Sequence, residues 1–92
     1  MVKRIQVEVF SSPGCSRCGQ VFDILQTITR ELGAERIEWR EVNVLDELEY
    51  AVELGVLSMP AIAIDGELVF KSHPTAGKLR EVLETRLQAQ TA

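Results

Sequence analysis

Cys15 and Cys18 are the only two cysteines in the 92-residue chain, and they stand together as Cys15-Ser16-Arg17-Cys18. A secreted disulfide framework carries four, six or eight cysteines, so this pair is not a structural lattice. Thiols at this spacing suit one chemistry above others. One thiolate attacks a disulfide, and the second thiol displaces the mixed disulfide that results. The thiolate is the nucleophile, so the site must lower the pKa of one thiol while keeping its sulfur reachable. A helix N-terminus does this with unpaired N–H groups and the positive end of its dipole, and Cys15 is expected there. Arg17 adds a fixed positive charge between the cysteines. In such surroundings a thiol pKa falls to ~3.5–7.5, from an unperturbed value of about 8.5. Cys18, one helical turn on, begins an apolar stripe and is expected to face inward. By this reading Cys15 attacks and Cys18 resolves.

The elements that must hold this pair are legible from periodicity. From Lys3 to Phe10, Ile5, Val7 and Val9 alternate with Arg4, Gln6 and Glu8, which predicts a strand. Ser11, Ser12, Pro13 and Gly14 then break the pattern as turn residues. From Cys18 the period changes to helical, with Val21, Phe22, Leu25, Ile28 and Leu32 on one stripe and Gly33 as a C-cap. The cysteines therefore lie at a strand–helix junction. Ile37 to Val44 reads as a second strand, its charged alternates Glu38, Arg40 and Glu41 suiting a place near a sheet edge. Asp46 can cap a short helix in which Leu48, Ala51 and Val52 share a face, closed by Gly55. Pro60 precedes Ala61-Ile62-Ala63-Ile64, an apolar run that fits a buried strand. Asp65-Gly66 is a two-residue hairpin signal, and Leu68 to Phe70 is the returning strand. Leu79, Val82, Leu83 and Leu87 mark a last amphipathic helix with a Gln/Thr tail. The order is β-α-β-α-β-β-α. A right-handed crossover makes the first two strands parallel and the hairpin supplies antiparallel pairing, giving a mixed four-stranded sheet flanked by helices in an α/β fold.

Length fits a single domain over residues 1–92, with an ordered core of about 3–87 and a tail at 88–92 expected to fray. An apolar share of 46% and a charged share of 26% are ordinary for a folded globular domain and argue against disorder. A net charge of −4 without a Lys/Arg stripe speaks against nucleic-acid binding and against a polybasic membrane anchor. The longest apolar stretch, Met59 to Ile64, is far short of the ~20 residues a membrane-spanning helix needs. Gln6 and Glu8 interrupt any signal-peptide apolar region, so the expected location is the cytoplasm.

Strand, turn, Cys15-Ser16-Arg17-Cys18 at a helix start, then Gly55-Val56-Leu57-Ser58-Met59-Pro60 leading into a strand and an Asp-Gly hairpin, resembles a minimal thioredoxin fold. The resemblance covers about Lys3 to Leu87 and points to the small, glutaredoxin-sized thioredoxin-like redox-disulfide proteins of bacteria and archaea. It implies a thiol–disulfide oxidoreductase that reduces protein disulfides. It also implies that Pro60 is cis, faces the cysteine pair and positions substrate, although only ~5% of X–Pro bonds in folded proteins are cis. Met59, Gly14 and Arg17 then become the candidate substrate-binding residues, with Met59 a soft apolar contact beside the disulfide. No cofactor or metal is expected. The implied partners are disulfide-containing client proteins and a reductant, either of thioredoxin-reductase type or glutathione, acting on a monomer.

The sequence departs from its relatives in ways that bear on function. Gly14 precedes Cys15 where thioredoxins have Trp, and Ser16-Arg17 replaces Gly-Pro. The buried carboxylate that many thioredoxins carry six residues before the first cysteine is Val9 here, so Cys18 must exchange its proton through water or another group. Glu8 is adjacent but belongs to the opposite sheet face and is expected to be solvated. The Gly-Gly-acid stretch with which glutaredoxins hold glutathione reads Lys71-Ser72-His73-Pro74-Thr75. His73 is expected to be an exposed loop imidazole, Trp39 a packing residue, and Asp46, Glu47, Glu49 and Glu53 the solvated face of the short helix. Two other functions compete with the disulfide reductase: a glutathione-dependent glutaredoxin, and metal or iron–sulfur binding through the two thiolates. A complete zinc or cluster site takes four ligands, and the chain offers two Cys and one His.

Overall fold

The structure, a computed structural model, describes residues 4–72 and 74–91. Lys3 and His73 lie outside the described residues. Seven elements follow one another as β1 (Ile5–Ser11), α1 (Cys18–Leu32), β2 (Ile37–Asn43), α2 (Leu48–Leu54), β3 (Ala61–Ile64), β4 (Glu67–Phe70) and α3 (Ala76–Thr91). The strands form one sheet in the order β2-β1-β3-β4. β1 and β2 pair in parallel, with Val9 opposite Glu41 and Ser11 opposite Asn43. β3 runs antiparallel to both β1 and β4. The expected mixed sheet is present, with β2 at an edge.

Alternation along β1 divides the core into two layers. Ile5, Val7 and Val9 point to one face, where Val21, Leu25 and Ile28 of α1 and Leu79, Leu83 and Leu87 of α3 cover them. Phe10 points to the other, where Val42, Ala61 and Ala63 meet Tyr50, Ala51 and Leu54 of α2. Trp39 stacks on Phe22 at 5.7 Å between ring centroids, a packing contact as expected. The Asp65-Gly66 turn has positive φ at both residues, 51° and 82°, which is what a tight hairpin of this hand demands.

Three expectations need correction. Ser11 is not a turn residue: it completes β1 and is buried. The helix after β2 is capped at Glu47 rather than Asp46, and without a side-chain cap. Its apolar face is also rotated. Leu48 and Val52 are 58% and 68% exposed, while Ala51 is buried and Tyr50 and Leu54 pack inward beside it. Tyr50 sets that rotation, because its ring packs on Phe10 at 5.7 Å and its hydroxyl donates to Glu8.

Candidate active site

Cys15 and Cys18 form a disulfide, with their Cα atoms 5.6 Å apart. The two sulfurs sit in different surroundings. Cys18 is the first residue of α1 and only 4% exposed, the leading member of the stripe that continues through Val21, Leu25 and Ile28. Cys15 is partly exposed in the loop ahead of the helix. Its N–H donates to the Ser12 carbonyl at 3.1 Å, closing a tight turn through Pro13 and Gly14. Gly14 takes φ +84° there, a conformation that any residue with a Cβ resists, although the space around it is open.

Cys15 lies two residues before Arg17, the N-cap of α1, so it faces the helix mouth rather than belonging to the first turn. Arg17 supplies no side-chain cap and no acid occupies the first turn. The orphan N–H groups and the positive dipole end therefore remain uncompensated by any local carboxylate. Arg17 is exposed and adds its charge to the same mouth. This is the electropositive, partly open setting that favours a thiolate over a thiol.

Met59 comes to the same place as Cys15. It lines an open cleft of about 360 Å³ together with Ser12, Pro13, Gly14, Ser16 and Arg17. The Met59–Pro60 peptide bond is cis, and Pro60 is buried at the start of β3. The Ser58 hydroxyl donates to the Lys71 carbonyl at 2.9 Å, tying this loop to the segment after β4. The structure thus brings Gly14, Cys15, Arg17 and Met59 to one cleft, with Cys18 as the buried half of the disulfide and Pro60 buried next to Met59 in the chain. The possible role of His73 lies outside the described residues.

That arrangement sits on a sheet and helices shared with known proteins. Residues 3–84 match the model of the thioredoxin domain family. The chain belongs to the thioredoxin domain family. A probable thioredoxin of Methanothermobacter thermautotrophicus is 29% identical over 84 residues, covering 91% of this chain and 98% of that protein. A thioredoxin of Methanocaldococcus jannaschii is 28% identical over 86 residues, covering 94% of this chain and all of that one. Thioredoxin 1 of Thermosipho africanus shares the fold with a TM-score of 0.76 at 19% identity, over 95% of this chain and 99% of its own. The protein is a thioredoxin-like disulfide oxidoreductase, with Cys15 and Cys18 as its disulfide pair.

Two polar groups on β1, the strand that leads to the cysteines, escaped the sequence reading. Ser11, 3% exposed, donates through its hydroxyl to Glu41 at 2.7 Å. The alternation Ile5, Val7, Val9 pointed to Ser11 as the next inward position, but its residue type suggested a turn. Glu8 is the second. It is not a solvated strand residue: its side chain is 13% exposed, and it accepts from the Tyr50 hydroxyl and from Arg40, which also pairs with Glu47 at 3.1 Å. Glu47 accordingly has a structural partner as well. Hydrogen bonding to Glu8, reinforced by burial, pushes the Tyr50 hydroxyl up to about 12 from its ordinary 10.0. Glu47 and Glu8 likewise raise the Arg40 guanidinium above its usual range. Val9, at the thioredoxin carboxylate position, is fully buried in the aliphatic layer. Among the described residues, no three His, Cys, Asp or Glu side chains gather where a metal ion could be held, and no helix is long and apolar enough to cross a membrane.

Proposed function

We propose that this protein reduces disulfides of client proteins through unequal roles of its two cysteines. The observation that carries the reading is the difference in exposure: Cys15 opens to the cleft, and Cys18 is buried at the first residue of α1. In the reduced protein the Cys15 thiolate attacks one sulfur of a client disulfide, forming a mixed disulfide and expelling the other client sulfur as a thiolate that takes up a proton. Cys18 then loses its proton, and its thiolate attacks Cys15 Sγ. The second client thiol leaves, and the Cys15–Cys18 disulfide seen in the structure remains. Two electrons and two protons have passed to the client. A dithiol reductase of thioredoxin-reductase type, or glutathione, restores the pair.

Gly14, Arg17 and Met59 line the cleft beside Cys15, and this supports assigning them to client contact. Pro60, with its fixed φ, sets the direction in which the Met59 backbone enters the cleft and is a positioning residue. The protein works as a monomer in the reducing cytoplasm, where thiol catalysts of this kind stay cycling. The test is single substitution. Cys18→Ser keeps the nucleophile and loses the resolving thiol, so covalent client adducts accumulate on a non-reducing gel and vanish with dithiothreitol. Cys15→Ser traps none. The reverse pattern, with adducts on Cys15→Ser alone, overturns the assignment.

A further inference from the structure

Among the described residues, the exposed large apolar side chains are Leu45, Leu48, Val52 and Leu57, at 67%, 58%, 68% and 95%. Singly, exposed leucines are commonplace. These four fall within one thirteen-residue segment, residues 45–57. Leu48 and Val52 are one turn apart on α2 and so share a side of it. Leu45 and Leu48 border one surface hollow of about 600 Å³ with Asp46, Glu49 and Glu53.

Charge is distributed as unevenly as apolar surface. None of the ten Lys and Arg residues lies between positions 41 and 70, whereas seven of the fourteen acids do. Glu47 is neutralised by Arg40. Asp46, Glu49 and Glu53 are exposed and take part in none of the ion pairs among the described residues. The ridge therefore offers leucine and valine side chains set among three exposed carboxylates that make no ion pair among the described residues, the chain's nearby Arg40 being taken up by Glu8 and Glu47.

Both ends of the segment reach the cysteine site. The N–H of Val44, next to Leu45, donates to the Ser11 carbonyl at 2.9 Å, and the neighbouring Ser12 carbonyl accepts from Cys15 at 3.1 Å. Leu57 stands two residues before Met59, which lines the cleft. A client whose disulfide lies on Cys15 can thus lay its flanking chain on the ridge.

We propose that Leu45 and the exposed side of α2 form a docking ridge for client segments that are apolar and carry Lys or Arg beside their disulfide. The inference rests on the disulfide-reductase reading above and names the class of client. Apolar contact supplies area, and the unpaired carboxylates select positive charge and steer encounter. A second copy of this chain is a poor occupant, because it brings acid against acid. A purely apolar client strips water from carboxylates and returns no partner.

The test compares two disulfide-bridged peptides of equal length, one flanked by leucines alternating with lysines and the other by leucines alternating with glutamates. Hydroxyethyl disulfide, small and neutral, reports the chemistry alone. At low ionic strength the lysine peptide is reduced with a kcat/KM about tenfold above the glutamate peptide, and the gap narrows in 0.5 M salt to about twofold as the charges are screened. The triple variant Asp46→Lys, Glu49→Lys, Glu53→Lys inverts the preference, and Leu48→Ser with Val52→Ser raises KM for the lysine peptide about fivefold. Both variants reduce hydroxyethyl disulfide at the wild-type rate. Equal rates for the two peptides, or a preference that survives charge reversal, overturns the ridge. So does a wild-type dimer in sedimentation that Leu48→Ser dissolves, which assigns the surface to a second copy. Failure of the wild type on hydroxyethyl disulfide itself instead removes the reductase reading on which the ridge depends.

Discussion

At the mouth of α1, Arg17 caps the helix without a side-chain bond, no acid follows in the first turn, and Cys15 stays partly exposed. Beneath α2, on the other side of the sheet, Glu8 accepts from both Tyr50 and Arg40, and Arg40 reaches Glu47 as well. The first region leaves backbone donors and positive charge without local partners, which suits it to stabilise a thiolate in the reduced protein. The second spends its charges on one another and thereby fixes how a seven-residue helix sits on the sheet. Unmet electrostatics mark the proposed reaction centre. Satisfied electrostatics mark a joint.

The sharpest separation comes from the cysteines. Cys15→Ser is expected to lower disulfide reduction by more than about a thousandfold with little change in melting temperature, since the proposed assignment makes its sulfur the attacking atom. An insulin-precipitation assay beside a thermal melt checks both halves. If activity survives, the mouth of α1 is not the centre.

The packing beneath that mouth comes next. Leu25→Ala empties a fully buried position in the layer between α1 and the sheet, and the expected loss is about 2–5 kcal/mol in urea unfolding. Residual activity per folded molecule should stay near wild type, and a fall in specific activity instead would show that the layer tunes Cys18 as well as holding it.

Tyr50→Phe probes the joint. It removes the hydroxyl that Glu8 accepts from and leaves a part-buried carboxylate short of a donor, with an expected cost of about 1–2 kcal/mol. The pH dependence gives an independent reading. The Tyr50 hydroxyl is raised to about 12 in the folded protein against an ordinary 10.0, so its protonated form is favoured by folding. That stabilisation is fully present below pH 10 and is lost as pH rises through about 12. The wild type should therefore lose stability over this window, and Tyr50→Phe should show a flatter decline. Superimposable alkaline profiles would detach Tyr50 from the joint.

The smallest effect is expected at Arg17, an exposed charge that solvent screens. Arg17→Glu should slow alkylation of reduced Cys15 at neutral pH and make the couple more reducing by roughly 10–20 mV, taking 30 mV per 1.4 kcal/mol. An unchanged potential would leave the helix terminus alone in control of the mouth.

Legibility followed the range of the forces involved. The hairpin at Asp65-Gly66, the C-cap at Gly55 and the run Ala61–Ile64 were readable because positive φ and an unbroken apolar run are local properties. The cleft was readable in part: Gly14, Cys15, Arg17 and Met59 do meet, but the resemblance, and not periodicity, singled out Met59 and Pro60. Glu8 was misread because alternation told which face it occupies and nothing of what covers that face. Leu48 and Val52 were misread for the opposite reason: a helix of seven residues has too few positions for its period to fix a phase.

The sequence by itself determined the order of elements, the strand–helix junction that carries the cysteines and the inward stripe that Cys18 begins, since each depends on neighbours within a turn or two of chain. Only the tertiary structure decided that Glu8, Arg40, Glu47 and Tyr50 come together, that α2 turns Leu48 and Val52 outward, and that Ser11 is buried against Glu41. Those outcomes depend on contacts between residues up to 42 positions apart, as in Tyr50 with Glu8, where the competition among buried partners settles what local pattern leaves open.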